Sequence, residues 1–315
     1  MKAIVYDKKC APDTLVLREV EKPVPGENEV LVRIFAVSVN AADYRSMKLG
    51  IIPKRRISGA DIAGRIESIG DKVTKFRAGD EVFGDISGCG FGGFAEYVSV
   101  PEGVLVLKPE TVSFDKAAAV PMAAVTALQG LRDRGDIQPG KKVLICGASG
   151  GVGTFAVQLA KYFGAEVTAV CSQNNVQLVR SLGADHVINY NTEDFSRNPK
   201  QYDLVLAVNG NQTLGAYKRL LKVDGVCVMV GGGMSQLVKT MLFGAFMSID
   251  GRKIVPFIAK PNTKALEFII KLVDNGNVKP VIDKLYPLSE TSDAVQYISK
   301  GHARGKVVIN VAQNL

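Results

Sequence analysis

The sequence predicts an α/β protein in which both chain ends form a β-rich domain and a doubly wound parallel sheet is inserted between them. Three patterns carry this. Residues 1–110 read as short strands between Gly/Pro turns. From about residue 142, apolar runs alternate with helical patterns, as in successive βαβ units with right-handed crossovers. The chain then closes with a helix, a strand, a helix and a strand, a mixed tail that returns to complete the first domain. The expected domains are 1–115 with 255–315, and 116–254.

Taken in order, MKAIVYD is a strand, PVPGENE a loop, and LVRIFAVSVN and EVFGDI are strands. SFDKAAAVPMAAVTALQGLRD reads as helical, with Ser113 as its N-cap. Apolar runs at 142–146, 166–170, 186–189, 203–208 and 226–230 are the expected parallel strands, with helices at 152–163, 174–182 and 213–222. In the tail, TKALEFIIKLVDNG is an amphipathic helix. KPVIDKLYPL and GKVVINV are strands, with a helix from Ser289 to Lys300 between them. No internal repeat or low-complexity segment interrupts the pattern.

With 47% hydrophobic and 22% charged residues, the chain reads as globular and soluble. The net charge of +8 attracts phosphorylated cofactors and leaves open peripheral contact with an acidic membrane. Its basic clusters, Lys54-Arg55-Arg56 and Lys8-Lys9, are too short for a nucleic-acid tract, and no nucleic-acid partner is expected. Val226 to Ile249 is broken by glycines, a polar pair and Lys239, so it is not expected to span a membrane. MKAIVYD lacks a signal peptide's apolar stretch. The cysteines at 10, 89, 146, 171 and 227 have no CxxC spacing, which suits a reducing compartment; the expected location is cytoplasmic. With only His186 and His302 in the chain, no Cys/His cluster stands ready for zinc.

The stretch with most chemistry is VLICGASGGVG. Glycines at 147, 150, 151 and 153 lie between a strand and a helix. Small residues there let the backbone approach a pyrophosphate, and the helix N-terminus supplies free N–H groups. Ser149, Gly150, Gly151 and Val152 are the expected contacts, Ser149 adding a hydroxyl. An ordinary tight turn would look similar, but this one opens a run of alternating units. In an NAD site an acidic residue ends the second strand. Here EVTAVCS ends in Ser172, with Asn174 and Asn175 beyond it. No carboxylate repels a 2′-phosphate, which favours NADPH over NADH, although the usual basic partner is also missing and Arg180 lies a turn further on.

GADIAGRIESIGDKVTKFRAGDEVFG, residues 59–84, resembles the signature of the zinc-independent medium-chain dehydrogenase/reductases, in the quinone oxidoreductase (zeta-crystallin-like) branch. SVNAADYRSMKLG at 38–50, PMAAVTALQGL at 121–131, LGADHVINY at 182–190 and GHARGKVVI at 301–309 extend the similarity over nearly the whole chain. The resemblance implies a GroES-like catalytic domain built from both ends and an inserted Rossmann dinucleotide-binding domain. It also implies a homodimer. Zinc-dependent relatives carry a cysteine in the loop occupied here by VNAADY and a His-Glu pair in SGADIAG; this chain has Asn40, and Ala60-Asp61. FGDISGCGFGGFAEY, with one cysteine, replaces the structural zinc loop. Both zinc sites are therefore expected to be absent.

NADPH can deliver hydride without a metal to a quinone or an α,β-unsaturated carbonyl, an enone or 2-alkenal; the protein must then stabilise charge on the acceptor's oxygen. The resemblance places Asn40 and Thr126 near the nicotinamide. Tyr44 is the expected proton donor, with a packing tyrosine as the competing reading. Asp43 reads as a loop cap and Asp61 as an organiser of the loop around 40–45; His186 reads as a surface residue, and nothing demands a role for His302. Tyr190 resembles the family tyrosine beside the adenosine ribose phosphate. Asn209, Val230, Gly231 and Gly232 follow strand ends, where parallel sheets hold ligands. The apolar stretch Ser235 to Ser248, with Met241, Leu242, Phe243 and Phe246, suits a cover over an apolar acceptor, and equally a core segment or subunit contact. Two alternatives stand: an enoyl-thioester reductase, and a non-catalytic NADPH-binding sensor or nucleic-acid-binding protein.

Overall fold

Two large sheets and a two-stranded ribbon carry this computed structural model, which describes residues 1–6, 14–51, 53, 55–208, 210, 212–231, 240 and 251–311. The chain divides into two units. The first holds Met1–Val125, Pro261–Gly276 and Pro280–Leu315; the second holds Thr126–Lys260 and Asn277–Lys279.

In chain order the first unit's strands are β1 (Lys2–Tyr6), β2 (Leu15–Glu19), β3 (Glu29–Val39), β4 (Asp61–Ile69), β5 (Glu81–Asp85), β6 (Tyr97–Pro101) and β7 (Leu105–Leu107). The second unit contributes β8 (Lys142–Cys146), β9 (Glu166–Cys171), β10 (His186–Asn189), β11 (Tyr202–Ala207), β12 (Leu221–Met229) and β13 (Lys253–Pro256). The chain then returns to the first unit with β14 (Ile282–Pro287) and β15 (Lys306–Asn310).

The first unit's sheet runs β14-β15-β3-β4-β5-β7, with β6 also paired to β3, while β1 and β2 form the ribbon. Eleven-residue β3 is its spine. It is buried along most of its length and pairs antiparallel with β15, β4 and β6, so its residues set the register of all three. Val30, Val32, Ile34, Ile62, Ile66, Val82, Val98 and Val307 form the core, an alternating apolar set from neighbouring strands. The helix Thr263–Asp274 buries Ala265, Leu266, Ile269, Ile270 and Leu272 at helical spacing, and Asn262 caps it by accepting the Ala265 N–H at 2.9 Å.

The second unit's sheet runs β10-β9-β8-β11-β12-β13, parallel throughout. Strand order reverses beside β8, so the carboxyl ends of β8 and β11 mark a topological switch point, where open α/β sheets bind ligands. The helix Gly151–Tyr162 follows β8 and is buried on all sides from Gly153 to Ala160.

Several predicted elements change shape. The stretch from Ser113 is not one helix but Phe114–Ala118, then Pro121–Leu128, then a π-helical turn Gln129–Arg134. Proline has no N–H to continue a helix and suits its first position, so Pro121 restarts the pattern. Ser113 does hold the N-cap position, but its side chain makes no capping bond. Helix Leu214–Arg219 is shorter than its pattern, because Leu221 already opens β12. Edge strand β13, four residues ending in proline, gave no readable signal. VNAADY, read as a loop, instead contains the first turn of the helix Ala41–Lys48.

Candidate functional site

Each unit holds one polar constellation. In the first unit it follows from sheet register. Ser38 lies opposite Asp61 across β3 and β4, and Asp61 lies opposite Asp85 across β4 and β5. Val39 pairs with Val307, which brings Asn40 beside Lys306. Four neighbouring strands thus bring three carboxylates and one ammonium group together: Asp61 at the centre, Asp85 and Lys306 on either side, and Asp43 on the helix that starts after Asn40.

The Asn40 Nδ2 donates to Asp61 Oδ2 at 2.9 Å, and the Ser38 hydroxyl donates to the same oxygen at 3.1 Å. The other oxygen accepts the Met122 N–H at 3.1 Å. Lys306 Nζ donates to Asn40 Oδ1 at 2.5 Å and stands 3.5 Å from Asp61 Oδ2. The Asn40 amide is thereby oriented unambiguously, oxygen to the ammonium and nitrogen to the carboxylate. Asp43 reaches back to the Asn40 N–H at 2.7 Å and accepts from Ser58 Oγ at 2.9 Å and the Gly59 N–H at 3.2 Å. Its expected capping role is present, on a helix rather than a loop.

Asp61 is fully buried and Lys306 is 3% exposed. Burial dominates both titrations. It raises the Asp61 carboxyl to about 7, with the Lys306 ammonium opposing and Asp85 reinforcing the shift. It lowers Lys306, against the pull of Asp61. Asp43 and Asp85 are also raised by burial. Both members of the Asp61–Lys306 pair are thus pushed towards their neutral forms.

Tyr44 is half-buried against the first unit's core, with Arg45 and Lys48 facing its ring at 5.8 and 5.5 Å. Thr126 is buried within Pro121–Leu128 and opens the second unit. His186 is exposed and faces Glu166 at 3.3 Å, and His302 is exposed. Among the described residues, no group of three or more His, Cys, Asp or Glu side chains is arranged to hold a metal ion. Lys306, Ser38, Ser58 and Asp85 were not anticipated. The available signal was a lysine opening the apolar run GKVVINV.

In the second unit, Gly147 turns sharply after β8 at φ 79, and Gly150 caps the helix Gly151–Tyr162. A Cβ on Gly153 would stand 2.1 Å from the Gly147 carbonyl oxygen, and one on Gly231 would stand 2.2 Å from the Val208 oxygen. Both glycines permit close backbone approach. Asn175 Nδ2 donates to Ser149 Oγ at 3.0 Å and to Ser172 Oγ at 3.1 Å, and the Asn175 N–H donates to the Ser172 carbonyl at 3.0 Å. Three predicted residues from two separate loops therefore meet. The Tyr190 N–H donates to the Cys171 carbonyl, bringing Tyr190 to the same edge with its side chain exposed. A cavity of about 490 Å³ opens there, lined by Cys146, Gly147, Val170, Tyr190, Asn191 and Phe195 among others. Val152 lies in the helix's first turn, and Val230 and Gly231 follow β12, where both N–H groups reach the Ala207 carbonyl. Asn209, Gly232 and the stretch Ser235 to Ser248 with its expected substrate cover lie outside the described residues, although Thr240 within it is buried.

Burial raises the thiol of Cys146 to about 12 and that of Cys171 to about 11, so both serve as apolar packing groups. No described helix is long and apolar enough to cross a membrane.

The alcohol dehydrogenase GroES-like domain family matches residues 26–110, and the zinc-binding dehydrogenase family matches residues 182–309. The chain is 36% identical to a chloroplast envelope quinone oxidoreductase homolog of Arabidopsis thaliana, over 92% of each chain. It is 33% identical to the NADPH-dependent alkenal/one oxidoreductase, chloroplastic, of the same plant, covering 98% of this chain and 79% of the relative. Among solved structures, the quinone oxidoreductase from Coxiella burnetii superposes with a TM-score of 0.89 at 30% identity, covering 99% of both chains.

Proposed function

The chain belongs to the medium-chain dehydrogenase/reductases, in their quinone oxidoreductase branch, and from that premise we propose an NADPH-dependent oxidoreductase that transfers hydride to a quinone or an α,β-unsaturated carbonyl without a metal. One observation carries the proposal. At the sheet's switch point, a glycine turn opens a helix beside the joined Ser149, Ser172 and Asn175, with no carboxylate from residue 172 to 175.

The residues fit the cofactor. Gly153 keeps the turn clear of a Cβ, and the first-turn N–H groups of a helix, which lack intrahelical partners, would serve a phosphate there. Ser149 and Ser172 supply neutral donors. Bound NADPH supplies the hydride, and the chain holds the reagent and excludes competing reactions.

The residues do not fit zinc. At the positions that resemble zinc-ligand positions stand an amide, whose oxygen is hydrogen-bonded to an ammonium group, and one carboxylate 3.5 Å from that same ammonium. Both acceptors are already engaged by that nitrogen, so neither stands free as a ligand for a second cation. This supports a reaction in which the acceptor's own conjugation, rather than a Lewis acid, draws the hydride. The dimer and a cytoplasmic location remain proposals, resting on the family resemblance and on unpaired cysteine usage respectively.

The test is oxidation of NADPH by purified, chelator-treated protein with a quinone, a 2-alkenal, a cyclic enone, a saturated aldehyde and an enoyl thioester in turn, repeated with NADH. Turnover on the first three, with NADPH preferred, supports the proposal. Loss of activity on chelation, or turnover on the saturated aldehyde alone, overturns it.

A further inference from the structure

We infer that Asn175 determines which dinucleotide the turn accepts, by orienting the hydroxyl protons of Ser149 and Ser172 towards a phosphate on the adenosine ribose. This rests on the NADPH reading above and deepens it.

The amide nitrogen of Asn175 has two hydrogens, and each serine oxygen lies within hydrogen-bond distance of it, at 3.0 and 3.1 Å. A hydroxyl that accepts through a lone pair keeps its proton to give. With both oxygens accepting from the amide, both hydroxyl protons stay free to serve a ligand as a pair of donors. The Asn175 backbone N–H, bonded to the Ser172 carbonyl at 3.0 Å, fixes the loop that holds this arrangement.

The other half of the same amide is the second observation. Asn175 Oδ1 is buried and has no hydrogen-bond partner among the described residues. A buried acceptor without a donor is costly and uncommon, and a ligand that brings a donor would relieve it. The site therefore offers two donors and one acceptor. A ribose bearing a 2′-phosphate matches that set: phosphate oxygens accept from Ser149 and Ser172, and the neighbouring 3′-hydroxyl donates to Asn175 Oδ1. A ribose with a free 2′-hydroxyl offers a weaker, uncharged acceptor to the same two donors. Among the described residues, no arginine or lysine is hydrogen-bonded to Ser149, Ser172 or Asn175. Arg180, the basic residue nearest in sequence, is exposed on the helix Val176–Ser181.

The experiment is calorimetric titration of the full chain with adenosine 2′,5′-bisphosphate and with adenosine 5′-monophosphate, which differ only in the 2′-phosphate. The wild-type chain should bind the bisphosphate at least about 10-fold more tightly, as expected for hydrogen bonds to a charged group. In Asn175→Asp, a carboxylate accepts both serine protons and repels the phosphate, so the preference should reverse towards the monophosphate. Ser172→Ala should weaken the bisphosphate about 10-fold and the monophosphate clearly less, because it loses a bond to a charged acceptor in one case and to a neutral one in the other. Equal wild-type affinity for the two ligands overturns the inference and leaves dinucleotide binding standing. So does an Asn175→Asp variant that loses both ligands equally while still unfolding cooperatively. Failure of the wild-type chain to bind either ligand, or NADPH itself, overturns both readings.

Discussion

At the end of β8 the second unit prepares for a ligand with backbone and neutral side chains: glycines at 147 and 153, two serine hydroxyls and one amide. At the ends of β3, β4, β5 and β15 the first unit does the reverse, burying Asp61, Asp85, Asp43 and Lys306 among hydrogen bonds that leave little for an outside molecule. The neutral site holds open donors and one open acceptor, a buried oxygen whose missing partner a ligand would supply. The charged one is internally satisfied, and its groups depend on each other. A ligand site can therefore be read from unused hydrogen-bonding capacity, whereas a dense charge cluster reads first as architecture.

That contrast breaks most readily at Lys306. Lys306→Met leaves Asp61 and its neighbouring carboxylates without an ammonium group. Breaking a buried pair in this way is expected to cost about 3–5 kcal/mol, seen as a lower urea midpoint with an unchanged slope. Adding Asp61→Asn should restore more than half of that loss, because the stranded charge is removed with its partner. If the double variant is no more stable than the single, the cluster is not coupled as its distances imply.

The matching change in the second unit is Gly153→Ala. Its Cβ would meet the Gly147 oxygen at 2.1 Å, so the turn must shift. Stability should fall by about 1–3 kcal/mol, less than at Lys306, while NADPH affinity measured by nicotinamide fluorescence is lost. Intact NADPH affinity would show that the turn tolerates displacement and that its close backbone approach is not what holds the cofactor.

The two constellations were unequally legible. The glycine turn is local: strand, glycines and helix occupy one continuous stretch, so the pattern 147–153 was readable, and the lack of an acidic residue at 172 was readable with it. Ser149 and Asn175 were expected at one cofactor site, but their meeting depends on how two loops close, which periodicity does not encode. The first unit's cluster is assembled by register across four strands from positions as distant as 38 and 306. Only Asn40, Asp43 and Asp61 were singled out, and the lysine that orients Asn40 was not, because one charged residue at a strand end also reads as an ordinary exposed edge. The break at Pro121 was visible as a proline, but its apolar surroundings made one long helix the simpler pattern.

A smaller effect sharpens the comparison through pH. The folded chain holds the Asp61 proton up to about 7, whereas the unfolded chain releases it near 3.8. The stability from that proton is complete below about pH 4 and is lost as pH rises through 7, with a slope of at most about 1.4 kcal/mol per pH unit for one proton. Asp61→Asn removes this slope, so wild type and variant should diverge in urea midpoint between pH 4 and 8, with the variant gaining relative to wild type as pH rises. Parallel curves would mean that Lys306 compensates Asp61 more fully than burial opposes it.

The least disruptive change is Tyr44→Phe, and it decides whether chemistry belongs beside the charged cluster at all. Tyr44 stands one residue after Asp43, packed on the core, with two cations over its ring. Those contacts involve the ring and survive the loss of the hydroxyl, so stability should change by less than about 0.5 kcal/mol. Turnover with a quinone should stay within a few-fold of wild type if the ring is what matters. A general acid contributes about 100-fold or more, and a loss of that size in kcat, with KM unchanged, would identify the phenol as the proton donor. The first unit would then be reactive through a residue beside its charge network, the opposite of what is proposed for the second unit, where the side chains that make the network are also the ligand's donors.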